Sequence, residues 1–268
     1  MELQQIGLRH PVADLIRDVR SNRTGIPRRT FVAEGLYENN MVLQTGVEID
    51  AFVWCPEAAY SDEAVVRAPQ LAARARRAYQ VSAKTLERLA ERPNPDGLIS
   101  VAQLPEWQPE DIELSPDALV LVADAIEIPG NLGTLIRTLD ACRADCLVMT
   151  NRRTRLTHPK VLRSSQGMSM KVPSVEFTEV LDAIAWLRRN QCTVYLADTD
   201  KSSNYRQADY SGRTALVIGS ERYGIAPAWY EAGFERIGIP MLGAADSLNV
   251  SVSASVLLYE ARARKNDW

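Results

Sequence analysis

Three segments of this chain share one pattern, in which an apolar stretch typical of a strand is followed by a polar loop that contains glycine. They are residues 119–122 with 128–138, residues 215–218 with 219–224, and residues 239–253 near the C-terminus. Loops that follow buried strands often carry ligand-binding groups, because the strands hold them rigidly at one edge of a sheet. The repeated order therefore predicts a ligand-binding α/β domain in the C-terminal half.

The length of the chain, 268 residues, favours two domains. Residues 105–117 are the best linker candidate, because they are acidic, contain Pro105, Pro109 and Pro116, and show no apolar periodicity. Strand and helix patterns alternate beyond this linker. The alternation predicts a mostly parallel sheet covered on both faces, preceded by a smaller α/β unit. The predicted division is 1–104, 105–117 and 118–268.

Residues 250–256 do not fit this alternation of strands and helices cleanly. Apolar and small polar residues alternate strictly there, which predicts a strand, whereas residues 257–265 have a strongly helical pattern. The pattern alone splits the segment into a strand and a helix. Its small serines could equally let one helix pack closely against a backbone or a ligand.

Basic residues are segregated along the chain, although the net charge is only −3. Arginines dominate the N-terminus, and Arg20, Arg23, Arg28 and Arg29 are expected to be exposed at a turn. No Lys or Arg occurs between Arg92 and Arg137, where acidic residues dominate instead. Such segregation is typical of a surface that contacts phosphates, while the alternative is a set of solvated faces.

Several classes of site are disfavoured by composition. Both histidines, His10 and His158, precede proline, which favours extended or turn conformations and disfavours histidine-based acid and base chemistry. The four cysteines are scattered and lack a nearby histidine, so they predict reduced, buried thiols rather than a zinc site. No apolar run approaches the roughly 20 residues of a membrane span, and no leader pattern is visible. We therefore expect a cytoplasmic protein without a membrane partner.

The loops themselves carry groups that suit a polar ligand. Asn131 is predicted to cap a helix, with Arg137 near the mouth of that loop. The second loop places Glu221 between two glycines, and the third ends in Ser247 and Asn249, which can orient a polar ligand without adding charge. Fingerprints of dinucleotide folds, phosphate loops and esterase-type serine nucleophiles are absent from the sequence.

Taken together, the three segments resemble the three motifs of the SpoU/TrmH family of RNA 2′-O-ribose methyltransferases. The matches are Asn-x-Gly-x-x-x-Arg at 131–137, Gly-Ser-Glu-x-x-Gly at 219–224, and Ile-Pro-Met at 239–241 followed by residues 247–252. Residues 163–167 resemble the family's Arg-x-Ser-x-Gly stretch. Residues 31–35 are similar to a small RNA-binding domain, related to ribosomal proteins, that precedes the catalytic domain in many rRNA-modifying members.

This resemblance implies a C-terminal α/β domain with a deep trefoil knot, in which residue 250 onward opens the last helix. It implies a homodimer and the methyl donor S-adenosylmethionine, with no metal. By position, the resemblance assigns the donor to Leu196, Gly219, Ile239, Met241 and Leu248. It assigns catalysis to Asn131, Arg137, Glu221, Ser247 and Asn249.

The resemblance further implies that Arg163 holds a phosphate and that Glu221 pairs either with a catalytic or with a structural arginine. Arg137 is the family's catalytic arginine, sometimes described as the base. Because guanidinium is too weak an acid for that role at neutral pH, phosphate binding and hydroxyl orientation are favoured. The N-terminal domain favours rRNA over tRNA as substrate. The alternatives are a tRNA 2′-O-methyltransferase and a noncatalytic RNA-binding assembly factor on the same fold.

Overall fold

The computed structural model describes residues 3–21, 23, 25, 27, 29–200 and 202–268. The chain divides into two compact units, Met1–Pro105 with Leu156–Lys171 and Glu106–Arg155 with Val172–Trp268. The predicted division differs from this one at residues 156–171, which it assigns to the second domain. The predicted domain boundaries stay a prediction.

The first unit is a five-stranded sheet with helices. Its elements are β1 (Gln4–Gln5), α1 (Pro11–Arg20), β2 (Thr30–Glu34), α2 (Leu36–Thr45), β3 (Ile49–Trp54), α3 (Asp62–Arg74), β4 (Ala78–Gln80), α4 (Ala83–Leu89) and β5 (Leu98–Gln103). The strand order is β1-β4-β3-β5-β2, with β5 antiparallel to both of its neighbours. Ser82 caps α4, because its side chain accepts a hydrogen bond from the amide of Thr85.

The second unit is a seven-stranded parallel sheet. Its elements are β6 (Leu119–Asp124), α5 (Pro129–Ala141), β7 (Cys146–Thr150), β8 (Ser174–Glu176), α7 (Val180–Arg189), β9 (Thr193–Ala197), β10 (Ser203–Asn204), β11 (Thr214–Ile218), α8 (Pro227–Glu231), β12 (Glu235–Gly238) and α9 (Val250–Asn266), while α6 (Pro159–Ser164) belongs to the first unit. The order β10-β12-β9-β11-β6-β7-β8 confirms the predicted α/β class with a mostly parallel sheet.

The strand order positions the loops of the second unit. Strand β11 lies between β6 and β9, and all three run parallel. Their carboxyl ends therefore meet at one edge, where open parallel sheets bind ligands. Every residue of β6 and β11 is buried, which explains their continuous apolar sequence. The trefoil knot stays a prediction of the resemblance.

Residues 250–256 are helical, so the predicted strand there is wrong. Helix α9 begins at Val250, with Asn249 as its N-cap. Ser251 and Ala254 are buried, and the Ser255 hydroxyl lies 3.1 Å from the Thr138 hydroxyl on α5. The small side chains thus serve close helix packing, which was the alternative interpretation, and tertiary packing overrides the alternating pattern.

The predicted linker packs against the second unit. Trp186 donates its indole N–H to the carbonyl oxygen of Pro109 at 3.0 Å, and Arg213 donates to the carbonyl oxygen of Leu114 at 2.9 Å. Leu114 itself is buried in the hydrophobic core of this unit. Residues 106–117 are therefore an ordered part of the second unit.

Residues 156–171 pack on the first unit through apolar side chains. Leu162 and Met170 are buried in the same cluster as Met41 of α2. Gly167 has φ +74, and a β-carbon on it would lie 2.9 Å from Cγ of Met41. Glycine is needed there both for the left-handed backbone and for this close approach.

Candidate active site

Side chains from all three sequence motifs meet in one hydrogen-bonded cluster. Glu221 accepts hydrogen bonds on one oxygen, Oε1, from Nδ2 of Asn131 at 2.8 Å and from Nδ2 of Asn249 at 2.9 Å. Nδ2 of Asn249 also lies 3.3 Å from Oδ1 of Asn131. We call these three residues the amide–carboxylate cluster. Along the chain, Asn131 lies 90 residues from Glu221 and 118 residues from Asn249.

The starts of two helices position the two asparagines. Asn249 caps α9, because its Oδ1 accepts hydrogen bonds from the amide and the hydroxyl of Ser251. Helix α5 starts at Pro129, with Ile128 as N-cap, so the predicted capping role of Asn131 is wrong. Proline suits the first helical position, since its φ is already helical and it lacks an N–H. Asn131 lies within the first turn, and its amide is directed to Glu221 instead.

The loop that carries Glu221 is closed by its own backbone. Ser220 and Gly224 exchange two backbone hydrogen bonds of 3.0 and 2.9 Å. A β-carbon on Gly219 would lie 2.1 Å from the carbonyl carbon of Gly224, so only glycine fits at the base of the loop. Within the described part of the chain, no arginine forms an ion pair with Glu221, whose partners are the two asparagines. The predicted pairing with an arginine stays a prediction.

Two predicted catalytic side chains lie outside this cluster. Arg137 is exposed on α5, and among the residues that the structure describes its guanidinium has no hydrogen-bond or ion-pair partner. Ser247 is also exposed, and its hydroxyl donates to Oδ1 of Asp246 at 3.2 Å. Arg137 is therefore free to bind an anionic group of a ligand.

A shallow, mostly apolar cleft opens where β9 and β12 end and α9 packs. Its lining includes three predicted donor-binding residues, Ile239, Met241 and Leu248. The other two are not among its lining residues. The side chain of Leu196 lies in the hydrophobic core next to this edge, and Gly219 lies at the base of the Glu221 loop.

A polar group, which sequence reasoning missed, forms one wall of the cleft. Asp198 lines the cleft, and its Oδ2 accepts a hydrogen bond of 2.9 Å from the Tyr230 hydroxyl. Arg236 lies 3.8 Å from the same oxygen. Burial, together with the hydrogen bond to Asp198, raises the pKa of Tyr230 to about 12, so this hydroxyl remains a donor at neutral pH. The position of Asp198 directly after a buried strand was the available sequence signal.

Comparison with known proteins assigns the chain to a family. The model of the SpoU rRNA Methylase family matches residues 118–259, more than half of the chain. The chain belongs to the SpoU rRNA methylase family. A model of the MRM3-like substrate binding domain matches residues 16–100. The family predicted from the three motifs is therefore confirmed.

Individual relatives cover both units. The chain is similar to the 23S rRNA (guanosine(2553)-2′-O)-methyltransferase RlmP of Bacillus subtilis, at 31% identity over 69% of this chain and 72% of the relative. An AdoMet-bound rRNA methyltransferase from Sinorhizobium meliloti has a TM-score of 0.87 at 25% identity, covering 97% of this chain and 98% of that chain. A structure described as an RNA 2′-O ribose methyltransferase has a TM-score of 0.79 at 32% identity, covering 98% and 99%.

The arginines predicted to bind RNA differ in their surroundings. Arg20 donates from Nη2 to Oε2 of Glu34 at 2.5 Å, and their side chains are only 10% and 6% exposed. The predicted exposure of Arg20 is wrong, because a buried carboxylate on β2 needs a cationic partner. Arg23 is 73% exposed and pairs with Asp18. Arg28 lies outside the described residues.

The remaining two arginines also have partners within the first unit. Arg29 donates to the carbonyl oxygen of Pro105. Arg163, in the family's Arg-x-Ser-x-Gly stretch, lies 3.4 Å from Oε2 of Glu91, and both side chains are partly exposed. An exposed pair of this kind is weak enough, at about 0 to 1 kcal/mol, for Arg163 to exchange Glu91 for a phosphate.

Other predicted features concern thiols, metals and membranes. All four cysteines are free, and three of them are buried. Burial raises the pKa of Cys192 to about 11, which keeps this half-buried thiol protonated. Among the described residues, no group of three or more His, Cys, Asp and Glu could hold a metal ion. In the same part of the chain, no helix is both long and apolar enough to cross a membrane.

Proposed function

We propose that this SpoU family member is an S-adenosylmethionine-dependent RNA 2′-O-methyltransferase that acts on rRNA. The observation that carries the proposal is the amide–carboxylate cluster, which joins the three family motifs in one unit with the exposed Arg137. The relatives' names support both the reaction and the RNA class. One relative that aligns over 97% of this chain is named as a tRNA/rRNA methyltransferase, so the tRNA alternative is kept as an outcome of the test below.

We assign the methyl donor to the cleft beside β9 and β12. Its mostly apolar lining suits an adenine ring, and the residues that end both strands belong to that lining. We assign Ile239, Met241 and Leu248 to side-chain contacts, and Leu196 and Gly219 to backbone contacts. When bound there, the donor supplies a methyl group on a sulfonium, and the residues of the chain position its acceptor.

The acceptor side is assigned to Arg137 and to the amide–carboxylate cluster. Arg137 offers a planar fork of donors that suits phosphate, so it holds the nucleotide and orients the ribose hydroxyl. Glu221 fixes both asparagine side chains through Oε1 and thereby fixes the loop geometry around the acceptor. Ser247 supplies an exposed hydroxyl on the third motif. Alignment of this kind provides much of the acceleration in group transfer.

The RNA is recognised, in this proposal, by the first unit. Arg23, Arg28, Arg29 and Arg163 are assigned to phosphate contacts, whereas Arg20 is assigned to the buried pair with Glu34. The match to an MRM3-like substrate binding domain supports this assignment. The expected cytoplasmic location stays a prediction.

A homodimer is proposed from the outer face of α9. Val252 and Tyr259 are exposed by 49% and 45%, and Val256 lies between them at helical spacing. Such an apolar stripe on a surface helix favours burial by a second copy. Light scattering is expected to give a dimer for the natural chain and a monomer for Tyr259→Arg. A natural chain that is monomeric at micromolar concentration would contradict the dimer.

The function is tested by ribose-methylation mapping of total RNA from cells with and without the gene. One rRNA ribose is expected to lose its 2′-O-methyl group when the gene is absent, and to regain it when the natural chain is restored. Restoration with Arg137→Ala serves as the matched control and is expected to fail. Loss of a tRNA methyl group instead would favour the alternative substrate.

A further inference from the structure

A buried carboxylate lies below the motif loops of the second unit. Asp124 ends β6 and is fully buried. Its Oδ1 accepts hydrogen bonds from the Thr150 hydroxyl at 2.9 Å and from Nδ2 of Asn151 at 2.7 Å, and its Oδ2 accepts one from the amide of Ala226 at 2.7 Å. In the described ranges, no Lys or Arg forms an ion pair with it. Burying a carboxylate costs free energy unless hydrogen bonds replace the water that it loses.

The backbone around Asp124 is strained. Ala125 has φ +54 and Asn151 has φ +48, although neither is glycine. The amide of Ala125 donates to the carbonyl oxygen of Thr150, so the two left-handed turns are joined directly as well as through Asp124. Left-handed non-glycine residues cost free energy and tend to persist at functional sites, where the surroundings fix them.

The third hydrogen bond connects Asp124 to the second motif. Ala226 is the N-cap of α8 and follows the Glu221 loop by two residues. Strand β11 fixes the first end of that loop, and the Asp124–Ala226 bond fixes the other. We infer, on the basis of the proposed function, that Asp124 is a positioning residue that sets the place of Glu221 for methyl transfer.

The chemistry explains why a carboxylate is needed at this position. Three donors approach two oxygens: the hydroxyl of the buried Thr150, the amide of the partly buried Ala226 and the side chain of the exposed Asn151. The Thr150 and Ala226 donors have little access to water, so they need an acceptor within the protein. An asparagine of the same shape has one acceptor oxygen and a nitrogen that carries two hydrogens. The backbone N–H of Ala226 can only donate, whereas the Thr150 hydroxyl can also accept and the Asn151 amide can turn its oxygen inward. Asp124→Asn therefore keeps its oxygen on Ala226 only if both groups at the end of β7 reorient to accept from the new amide nitrogen. This rearrangement, or loss of the Ala226 bond, is expected to displace the Glu221 loop, although the side-chain volume is unchanged.

Asp145 provides a matched control at the opposite end of the same strands. Its Oδ2 accepts a hydrogen bond from the amide of Leu119, and its Oδ1 accepts one from the hydroxyl of Ser115, both at 2.9 Å. Asp145→Asn thus removes comparable bonds at the amino edge of the sheet. Asp124→Asn is expected to lower kcat about 10- to 100-fold, with the KM for RNA little changed, whereas Asp145→Asn leaves kcat unchanged.

Two further measurements separate positioning from stability. In a double-mutant cycle with Glu221→Gln, the combined loss in kcat is expected to be smaller than the product of the single losses, because Asp124 acts through Glu221. Hydrogen exchange of residues 219–226 is expected to accelerate in Asp124→Asn and not in Asp145→Asn. Thr150→Val removes one donor and keeps the carboxylate, so it is expected to lower kcat by a smaller factor. This variant still tests the inference if Asp124→Asn does not fold.

The outcomes distinguish this inference from the proposed function. The positioning role would be overturned if both Asp124→Asn and Thr150→Val kept the natural kcat and the natural exchange rate at residues 219–226. It would also be overturned if the losses in kcat simply multiplied in the double-mutant cycle. A natural chain that transfers no methyl group would overturn the proposed function. The exchange measurement still decides in that case whether Asp124 fixes the Glu221 loop.

Discussion

Single residues in this site combine local structural roles with contacts across the motifs. Asn249 caps α9 through its oxygen and binds Glu221 through its nitrogen. The sequence predicted that Asn131, Glu221 and Asn249 belong to one site, but not their mutual bonds. Those bonds depend on where α5 begins, and Pro129 moved that start ahead of Asn131. Arg20 was misjudged for a similar reason, because its buried partner Glu34 is visible only in the fold.

Arg137→Ala is expected to lower methyl transfer by about 100-fold or more, because phosphate orientation is lost. Donor binding is expected to remain nearly unchanged, since Arg137 is exposed and is not a lining residue of the cleft. Arg137→Lys keeps the charge without the planar fork and should recover only part of the rate. Initial rates and calorimetry with S-adenosylmethionine measure both effects. A parallel loss of donor affinity would show that Arg137 holds the donor instead.

Asn249→Asp separates the two roles of Asn249. Aspartate caps a helix as well as asparagine does, so the melting temperature should change little. The new carboxylate faces Glu221 in place of an amide donor, and like charges at this distance repel. Methyl transfer is therefore expected to fall at least about 10-fold. Asn249→Ala, which loses the cap as well, should also lower stability by about 1 kcal/mol. Full activity in Asn249→Asp would contradict a role for the Glu221 contact.

The elements show where periodicity was sufficient and where it was not. Strands β6 and β11 were located to within two residues, because buried parallel strands have uninterrupted apolar sequences. Helix α9 was misread at its start, because residues packed against α5 had to be small and happened to alternate with valine. Close packing selects residue size, and a hydrophobic pattern does not record that selection.

Gly219→Ala tests the closed geometry of the Glu221 loop. An added β-carbon would overlap backbone atoms of Gly224, so the loop must open. We expect weaker donor binding and a strong loss of methyl transfer, because the loop carries Glu221 and borders the predicted donor site. Gly243→Ala is the control, since no atom lies within 4 Å of the position of its β-carbon. Equal effects of the two substitutions on donor affinity and rate would refute the special geometry of Gly219.

At the scale of the whole molecule, the order of domains was predictable and the path of the chain was not. Composition located the change near residues 105–117, and the family resemblance supplied both folds. Residues 156–171 nevertheless pack on the first unit, through Leu162 and Met170. Their sequence lies between two motifs of the second unit, and nothing in local pattern indicates which core receives an apolar side chain. Such long-range choices depend on the assembled surfaces.

A chain that begins at Glu106, so that the residues 106–117 packed on the second unit are kept, tests this division of labour. It keeps every motif of the site, so it is expected to bind S-adenosylmethionine, but it should bind RNA poorly and with a flatter salt dependence. Without the first unit, the apolar side chains of Leu162 and Met170 are exposed, so both residues are replaced by serine in the chain that is measured. Calorimetry and filter binding over a salt series give both affinities. An unchanged KM for RNA would show that the first unit is not the recognition module.

The most direct measurement of the central claim is methyl transfer by the purified chain. Ribosomal RNA without modifications is incubated with S-adenosylmethionine that carries a labelled methyl group, and the RNA is then hydrolysed with alkali. The account predicts that the label appears in one alkali-resistant dinucleotide, because a 2′-O-methyl group blocks cleavage, and that Arg137→Ala gives none. Label on a base, or no label with a natural chain that binds the donor, would contradict the account.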